Sequence, residues 1–517
     1  MKKKYIIFSL VTLVLLVALI TSFNYFKTTN TYIDDNINNQ TKIIKGISMN
    51  LEQTAGAGDY KTVTQSSWPT EGYKFNAELS SCENGSTLSW DDTKKAVIMQ
   101  GNVSDKCYVY FDIFIPKIPD VCNSGDTLSD CIKKYGDKGS AVSNIYIHDG
   151  SLSNGAEDNS YRYAGGEYVL TDAGKATGAT MMIGYSNTLT TALIDFYCNG
   201  TKQYVGYNCS SSQTHYYLIK GDTTQYQTYN EALNTSVEKG YLTKDNVKNF
   251  VCFGSDASTC LTENLYRIIG VFNNQVKLIK WDYAKSSLLG TDGDFSQEYS
   301  YYFSGEQGES PSSNSMYYWN KATSKNTWSE SNLNKANLNT NFITNIGTTW
   351  ANKIATTTWK VGGNTWANIG TSVPQTAYQN EIVSPDATNS TDNKTEYSAK
   401  IGLMYVSDYY YAASPNKWTL VGYNSDYTKS YQSAKGENWI YGGGYDWTIS
   451  RNSDDSNFAF LVVNSVGLNY SYVGNYYSGV RPSFNLLSSI NYVSGSGSMR
   501  DPVRINWYTK DIQLLCK

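Results

Sequence analysis

The chain has only two histidines, His148 and His215, and no cysteine pair at Cys-x-x-Cys spacing. A zinc cage of thiolates and imidazoles therefore lacks its usual ligands. Basic clusters are missing too: 42 Lys and Arg stand against 46 Asp and Glu, and the six arginines are scattered. A nucleic-acid partner needs a concentrated positive face, so that class is set aside. There is no Gly-x-Ser-x-Gly elbow to accompany His148-Asp149. Adjacent residues on a strand point to opposite faces, so this His-Asp pair reads as a loop or turn rather than a hydrolase dyad.

Charge is also absent from Tyr5 through Ile20, an apolar run that fades out by Phe26 and follows Lys2, Lys3 and Lys4. At about 1.5 Å per residue this stretch spans the ~30 Å hydrocarbon core as a helix, longer than the apolar core of a removable signal. No clean pair of small residues follows it at signal-peptidase spacing, so an uncleaved anchor is expected. The three preceding lysines place the N-terminus in the cytoplasm and the rest of the chain outside, making the membrane the first expected partner.

Nine cysteines are present, and eight fall as near neighbours: Cys82 with Cys107, Cys122 with Cys131, Cys198 with Cys209, and Cys252 with Cys260. An extracellular placement makes these disulfides chemically sensible, although eight cysteines allow 105 pairings. Cys516 is left over as a free thiol or an intermolecular link.

The expected fold class is α+β. Residues 1–26 form the transmembrane anchor, and 27–54 a helical stalk carrying Ile33, Ile37, Ile44, Ile47 and Leu51, ended by Ala55-Gly56-Ala57-Gly58. Residues 55–116 form a small disulfide-bonded β domain, with strands at Tyr73–Ala77, Ala96–Met99 and Cys107–Phe111. Pro116 and Pro119 stiffen the link to a large mixed domain, 117–517, with many short strands, long loops and an insertion at about 167–248. Within it, Leu128–Tyr135 reads as a helix, Tyr161–Gly165 as a strand, and Leu265–Phe272 with Gln275–Lys280 as a hairpin turning at Asn273-Asn274. Leu333, Leu338, Phe342 and Ile346 mark one amphipathic helix.

The C-terminal third contains, in order, Ile401-Gly402-Leu403-Met404-Tyr405-Val406-Ser407-Asp408, Asn438-Trp439-Ile440, Asp446-Trp447-Thr448-Ile449-Ser450 and Gly479-Val480-Arg481-Pro482-Ser483-Phe484. This run resembles uncharacterised bacterial surface domains ending in a Gly-Val-Arg-Pro motif. Those domains are similar to the superfamily of the formylglycine-generating enzyme, the retroelement-diversified binding proteins and the C-type-lectin-like folds. The resemblance covers about residues 260–505 and implies a lectin-like head. The enzyme branch works through paired cysteines late in its fold, and residues 261–515 contain none. A non-catalytic head is therefore expected. Arg481 enters an apolar strand just before a proline and reads as a buried structural residue.

Trp439, Tyr441, Tyr445, Tyr470, Tyr472, Tyr476 and Tyr477, set among Gly, Ser and Asn, form the candidate ligand-binding surface. Rigid amphipathic rings offer large contact area at low entropy cost, while core or strand-edge packing is the competing use for them. Asp292-Gly293-Asp294 and Asp454-Asp455-Ser456-Asn457 offer oxygens to calcium, but neither matches the twelve-residue loop. They read as turns, and no metal or cofactor is expected.

Three functions remain. The first is a membrane-anchored surface protein displaying a binding or adhesion head for an extracellular protein or glycan. The second is a pilin-like structural subunit, for which residues 1–10 lack the processing site and the following Glu. An extracellular hydrolase ranks last.

Overall fold

The computed structural model describes residues 46–507, apart from 55, 65–66, 70–71, 103, 167, 185–189, 204–208, 211, 244–246, 305, 387–394, 425–428, 443 and 464–466. The anchor, the stalk up to residue 45 and Cys516 lie outside the described residues. No helix among the described residues is long and apolar enough to cross a membrane. What is described is a mixed α+β protein of many short strands in two compact units, divided between Pro116 and Lys117. Four disulfides join Cys82–Cys107, Cys122–Cys131, Cys198–Cys209 and Cys252–Cys260.

The smaller unit corrects the stalk. Ile47 and Leu51 lie on a strand, Ile47–Glu52, and not on a helix. It runs parallel to Cys107–Ile113 and antiparallel to Tyr60–Val63, and Tyr73–Cys82 completes the sheet. The four-residue step from Ile47 to Leu51 fits a helix, but Ile47, Met49 and Leu51 also alternate. Burial of Met49 and Leu51 beside Val109, Phe111 and Trp68 decides for the strand. A hairpin of Thr87–Asp91 and Ala96–Gln100 adds Trp90, whose ring meets Phe111 edge-on at 5.7 Å.

The larger unit is organised around one antiparallel sheet. Its order is Ile401–Gly402, Ser483–Asn485, Gln275–Lys280, Leu265–Phe272, Tyr161–Tyr163 and Ile145–Ile147, and Phe250–Cys252 also pairs with Leu265–Phe272. The central hairpin turns at Asn273 and Asn274, both with positive φ (47° and 64°), which two-residue turns matching the strand twist require. Nearly every residue of this hairpin is buried, so its strands are covered on both faces. The helix Leu128–Gly136 starts at the Thr127 cap and is held by the Cys122–Cys131 bridge. Leu333–Phe342 is a π-helix that runs on into Ile343–Asn345. Between Tyr161–Tyr163 and Phe250–Cys252 the chain builds a separate small core, in which Met181, Leu193, Phe196, Tyr217 and Leu233 pack around the Cys198–Cys209 bridge. A second sheet, with Asp446–Asn452, Phe458–Val463 and Gly467–Tyr472 as its antiparallel strands, carries the C-terminal third.

Candidate functional site

A single cross-strand row in the central sheet sets up the site. Arg162 pairs with Gly270, Gly270 with Lys277, and Lys277 with Asn485. Residues directly opposite one another share a face, so the row delivers two cations to the same side of the sheet. Gly270 makes the close approach possible, because a Cβ there would lie 2.4 Å from the Tyr161 carbonyl oxygen. On that side lies a cavity of about 310 Å³, lined by the hairpin, the Thr357–Lys360 strand, Tyr378 and the start of the Val406–Tyr411 helix.

Each cation meets a carboxylate. The Arg162 Nη2 donates to Asp158 Oδ2 at 2.6 Å and its Nε to the Ser160 hydroxyl at 2.7 Å. The guanidinium also stacks among Phe272, Tyr378 and Tyr411, 4.7–5.0 Å from their ring centres. Burial works against ionising Asp158, but the Arg162 charge, with help from the Ser160 and Tyr378 hydroxyls, outweighs it and holds the carboxyl at about 2. Lys277 Nζ donates to Asp408 Oδ2 at 2.5 Å, and that oxygen also accepts the Tyr405 N–H at 2.9 Å. Burial lowers the Lys277 pKa, and the Asp408 charge offsets part of that effect. The Lys277 ammonium lies 4.4 Å from the Tyr405 ring centre and 5.4 Å from that of Trp359.

Behind this pair is Glu381, fully buried, its carboxylate accepting from the Val406 and Ser407 N–H groups and the Ser450 hydroxyl. Burial pushes its pKa up to about 7. The rim is polar, formed by Asn273, Gln275, Thr357 and Thr358, with Lys360 beside them paired to Glu396. Aromatic walls, two internally neutralised ion pairs and a rim of amides and hydroxyls can take a ligand that both donates and accepts hydrogen bonds and presents an apolar face. A larger cleft of about 400 Å³ lies between the Cys252–Cys260 loop and the final strands. There Arg504 donates to the Ala257 and Ser258 carbonyls.

The aromatic residues singled out from the sequence lie elsewhere and have four different settings. Trp439 is buried, donates to the Tyr163 carbonyl and stacks on Arg267. Tyr445, Tyr476 and Tyr477 form a chain of rings with Trp447 and Tyr318. Tyr470 packs on Trp366 at 4.4 Å, while Tyr472, 53% exposed, covers Phe458. Tyr441 packs against the main core, with the Lys435 ammonium over its ring.

Arg481 is buried, donating from Nε and Nη2 to Asp446 and from Nη2 to the Ile440 carbonyl. His148 is also buried: its Nδ1 accepts the Ala156 N–H, and Tyr411 and Trp418 enclose the ring. Its neighbour Asp149 instead holds Ser151, so the two make no dyad. Asp294 accepts the Lys321 and Leu333 N–H groups, and Asp455 holds Asn457, which are turn and capping roles. Cys82, Asp105 and Cys107 come together in the smaller unit, but both sulfurs are joined in the disulfide and offer no thiolate.

Sequence reasoning missed Arg162, Lys277, Glu381 and Asp408 as a group. The available signal was charge among apolar neighbours: Lys277 between Val276 and Leu278, and an aspartate closing the Ile401–Asp408 run. No family model, curated protein or solved structure matches this chain.

Proposed function

We propose that the chain is a membrane-anchored bacterial surface protein whose larger unit is a non-catalytic, lectin-like binding head, and that the cavity over Arg162 and Lys277 takes a saccharide unit of a glycan. The observation that carries this reading is the cavity's chemistry. Sugars present hydroxyls that donate and accept, together with a C–H face that packs on rings. The cavity offers Asp158 as an acceptor, Arg162 and the Thr357 and Thr358 hydroxyls as donors, and Phe272, Tyr378 and Tyr405 as ring surface. The four disulfides suit an oxidising exterior, to which the N-terminal apolar segment would deliver the head.

The test is a glycan array probed with the full-length protein in detergent, wild type beside Thr358→Trp. Thr358 is an exposed rim residue, so a tryptophan there fills the mouth without disturbing the core. Wild type is expected to bind a restricted set of oligosaccharides and Thr358→Trp none, at unchanged circular dichroism. A wild type silent on every glycan, or a variant that binds equally well, overturns the reading.

A further inference from the structure

We propose that Lys277 and Asp408 condense to an intramolecular amide, a covalent bridge from Nζ to Cγ that ties the Gln275–Lys280 strand to the Val406–Tyr411 helix. The reacting groups are in place, with the ammonium nitrogen 2.5 Å from Oδ2 and the side chains only 6% and 3% exposed. In water this condensation is slow, because an ammonium has no lone pair and a carboxylate is a poor electrophile. Burial lowers the Lys277 pKa and so favours its uncharged amine, the nucleophilic form. A contact held in one geometry also replaces a bimolecular encounter with an effectively unimolecular step. The rings of Tyr405 and Trp359 screen the pair on one side, while the cavity it lines gives the product water a way out.

The atoms balance without an oxidant or a co-reactant. One proton crosses from the ammonium to the carboxylate, giving amine and acid. The amine lone pair adds to Cγ, and the carbon–nitrogen bond forms as a carbon–oxygen bond breaks. A second proton from the nitrogen leaves with the departing hydroxyl, so amine plus acid becomes amide plus one water. Glu381 is the positioning residue: it holds the Val406 and Ser407 N–H groups immediately before Asp408, and its charge acts on Lys277.

Other pairs lack one of these conditions. Lys202–Asp195 and Lys417–Glu437 keep 17–26% of their side-chain surface exposed, where water stabilises the ions. Arg481–Asp446 is as deeply buried, but a guanidinium stays protonated and is no nucleophile. The bridge would close a loop between residues 131 positions apart and, unlike the disulfides, would survive reduction.

The decisive experiment is a peptide map of the full-length protein after reduction and denaturation. A joined peptide containing Lys277 and Asp408, one water lighter than the sum of its parts, is expected in wild type and absent from Lys277→Arg and Asp408→Ala. Recovery of both residues only in separate linear peptides from wild type overturns the proposal, and this arm needs no variant to fold. In a time course after cell-free synthesis across a pH series, Glu381→Gln is expected to lose the inflection near about 7 at unchanged circular dichroism. An inflection that persists removes Glu381 from the mechanism. Neither arm involves a ligand, so its outcome is independent of the array.

Discussion

Arg481–Asp446 and Lys277–Asp408 are both buried ion pairs in the larger unit, yet their surroundings assign them different work. Arg481 directs its donors at Asp446 and the Ile440 carbonyl and sits among core atoms such as the Met404 sulfur. Lys277 makes one ion pair and faces a cavity. Burial and charge alone therefore do not mark a functional group. Spare reach toward an accessible space does, and that reach depends on which elements pack across the sheet.

The contrast can be broken most severely at Arg481. Removing the guanidinium in Arg481→Met leaves Asp446 buried without its partner, and denaturant unfolding is expected to show a loss of about 3–5 kcal/mol. Thr358→Trp is expected to change stability by less than about 0.5 kcal/mol in the same assay while abolishing glycan binding, since it blocks the cavity without touching either pair.

Glu381 gives an intermediate effect with a defined sign. Its folded-state pKa of about 7 lies above the ordinary 4.5, so the folded protein prefers the protonated form. That preference stabilises the fold fully below about 4.5 and is lost as pH rises through about 7. Relative to wild type, Glu381→Gln should gain stability between acidic and mildly alkaline pH, by up to about 3 kcal/mol. Thermal unfolding at the two ends of that window measures it, and a difference that ignores pH contradicts the assignment. Smaller again is Tyr378→Phe, which removes the hydroxyl donor to Asp158 and should cost about 1 kcal/mol by denaturant unfolding.

Asp158 sharpens the comparison from the acid side. Its folded pKa is held at about 2, below the ordinary 3.8, so its contribution is present above about 3.8 and disappears as pH falls through about 2. An acid titration followed by thermal unfolding should show Asp158→Asn and wild type converging in that window.

Much of the local architecture was legible in the chain itself. The Asn273-Asn274 turn, the Leu128–Gly136 helix and the four short-range disulfides all follow from neighbours in sequence, because turn geometry, capping and loop closure act over a few residues. The strand Ile47–Glu52 was misread as helix because the Val109 and Phe111 side chains that bury it lie far along the chain and its own apolar spacing fits both periods. The site was less legible still. Lys277 and Asp408 are 131 positions apart, and nothing local to either announces the other. Aromatic richness pointed instead to Trp439, Tyr441, Tyr445, Tyr470, Tyr472, Tyr476 and Tyr477, of which all but Tyr472 and Tyr477 pack within or against the main core.

The sequence by itself determined the Asn273-Asn274 turn, the capped Leu128–Gly136 helix and the short stapled loops, since those properties are sums over neighbouring side chains. Only the tertiary structure decided that Arg162, Gly270, Lys277 and Asn485 form one row, and that Asp158, Glu381 and Asp408 stand over it. The physical reason is register: a shift of one residue in the Tyr161–Tyr163 or Gln275–Lys280 strand would turn Arg162 or Lys277 to the opposite face and take its charge out of the cavity.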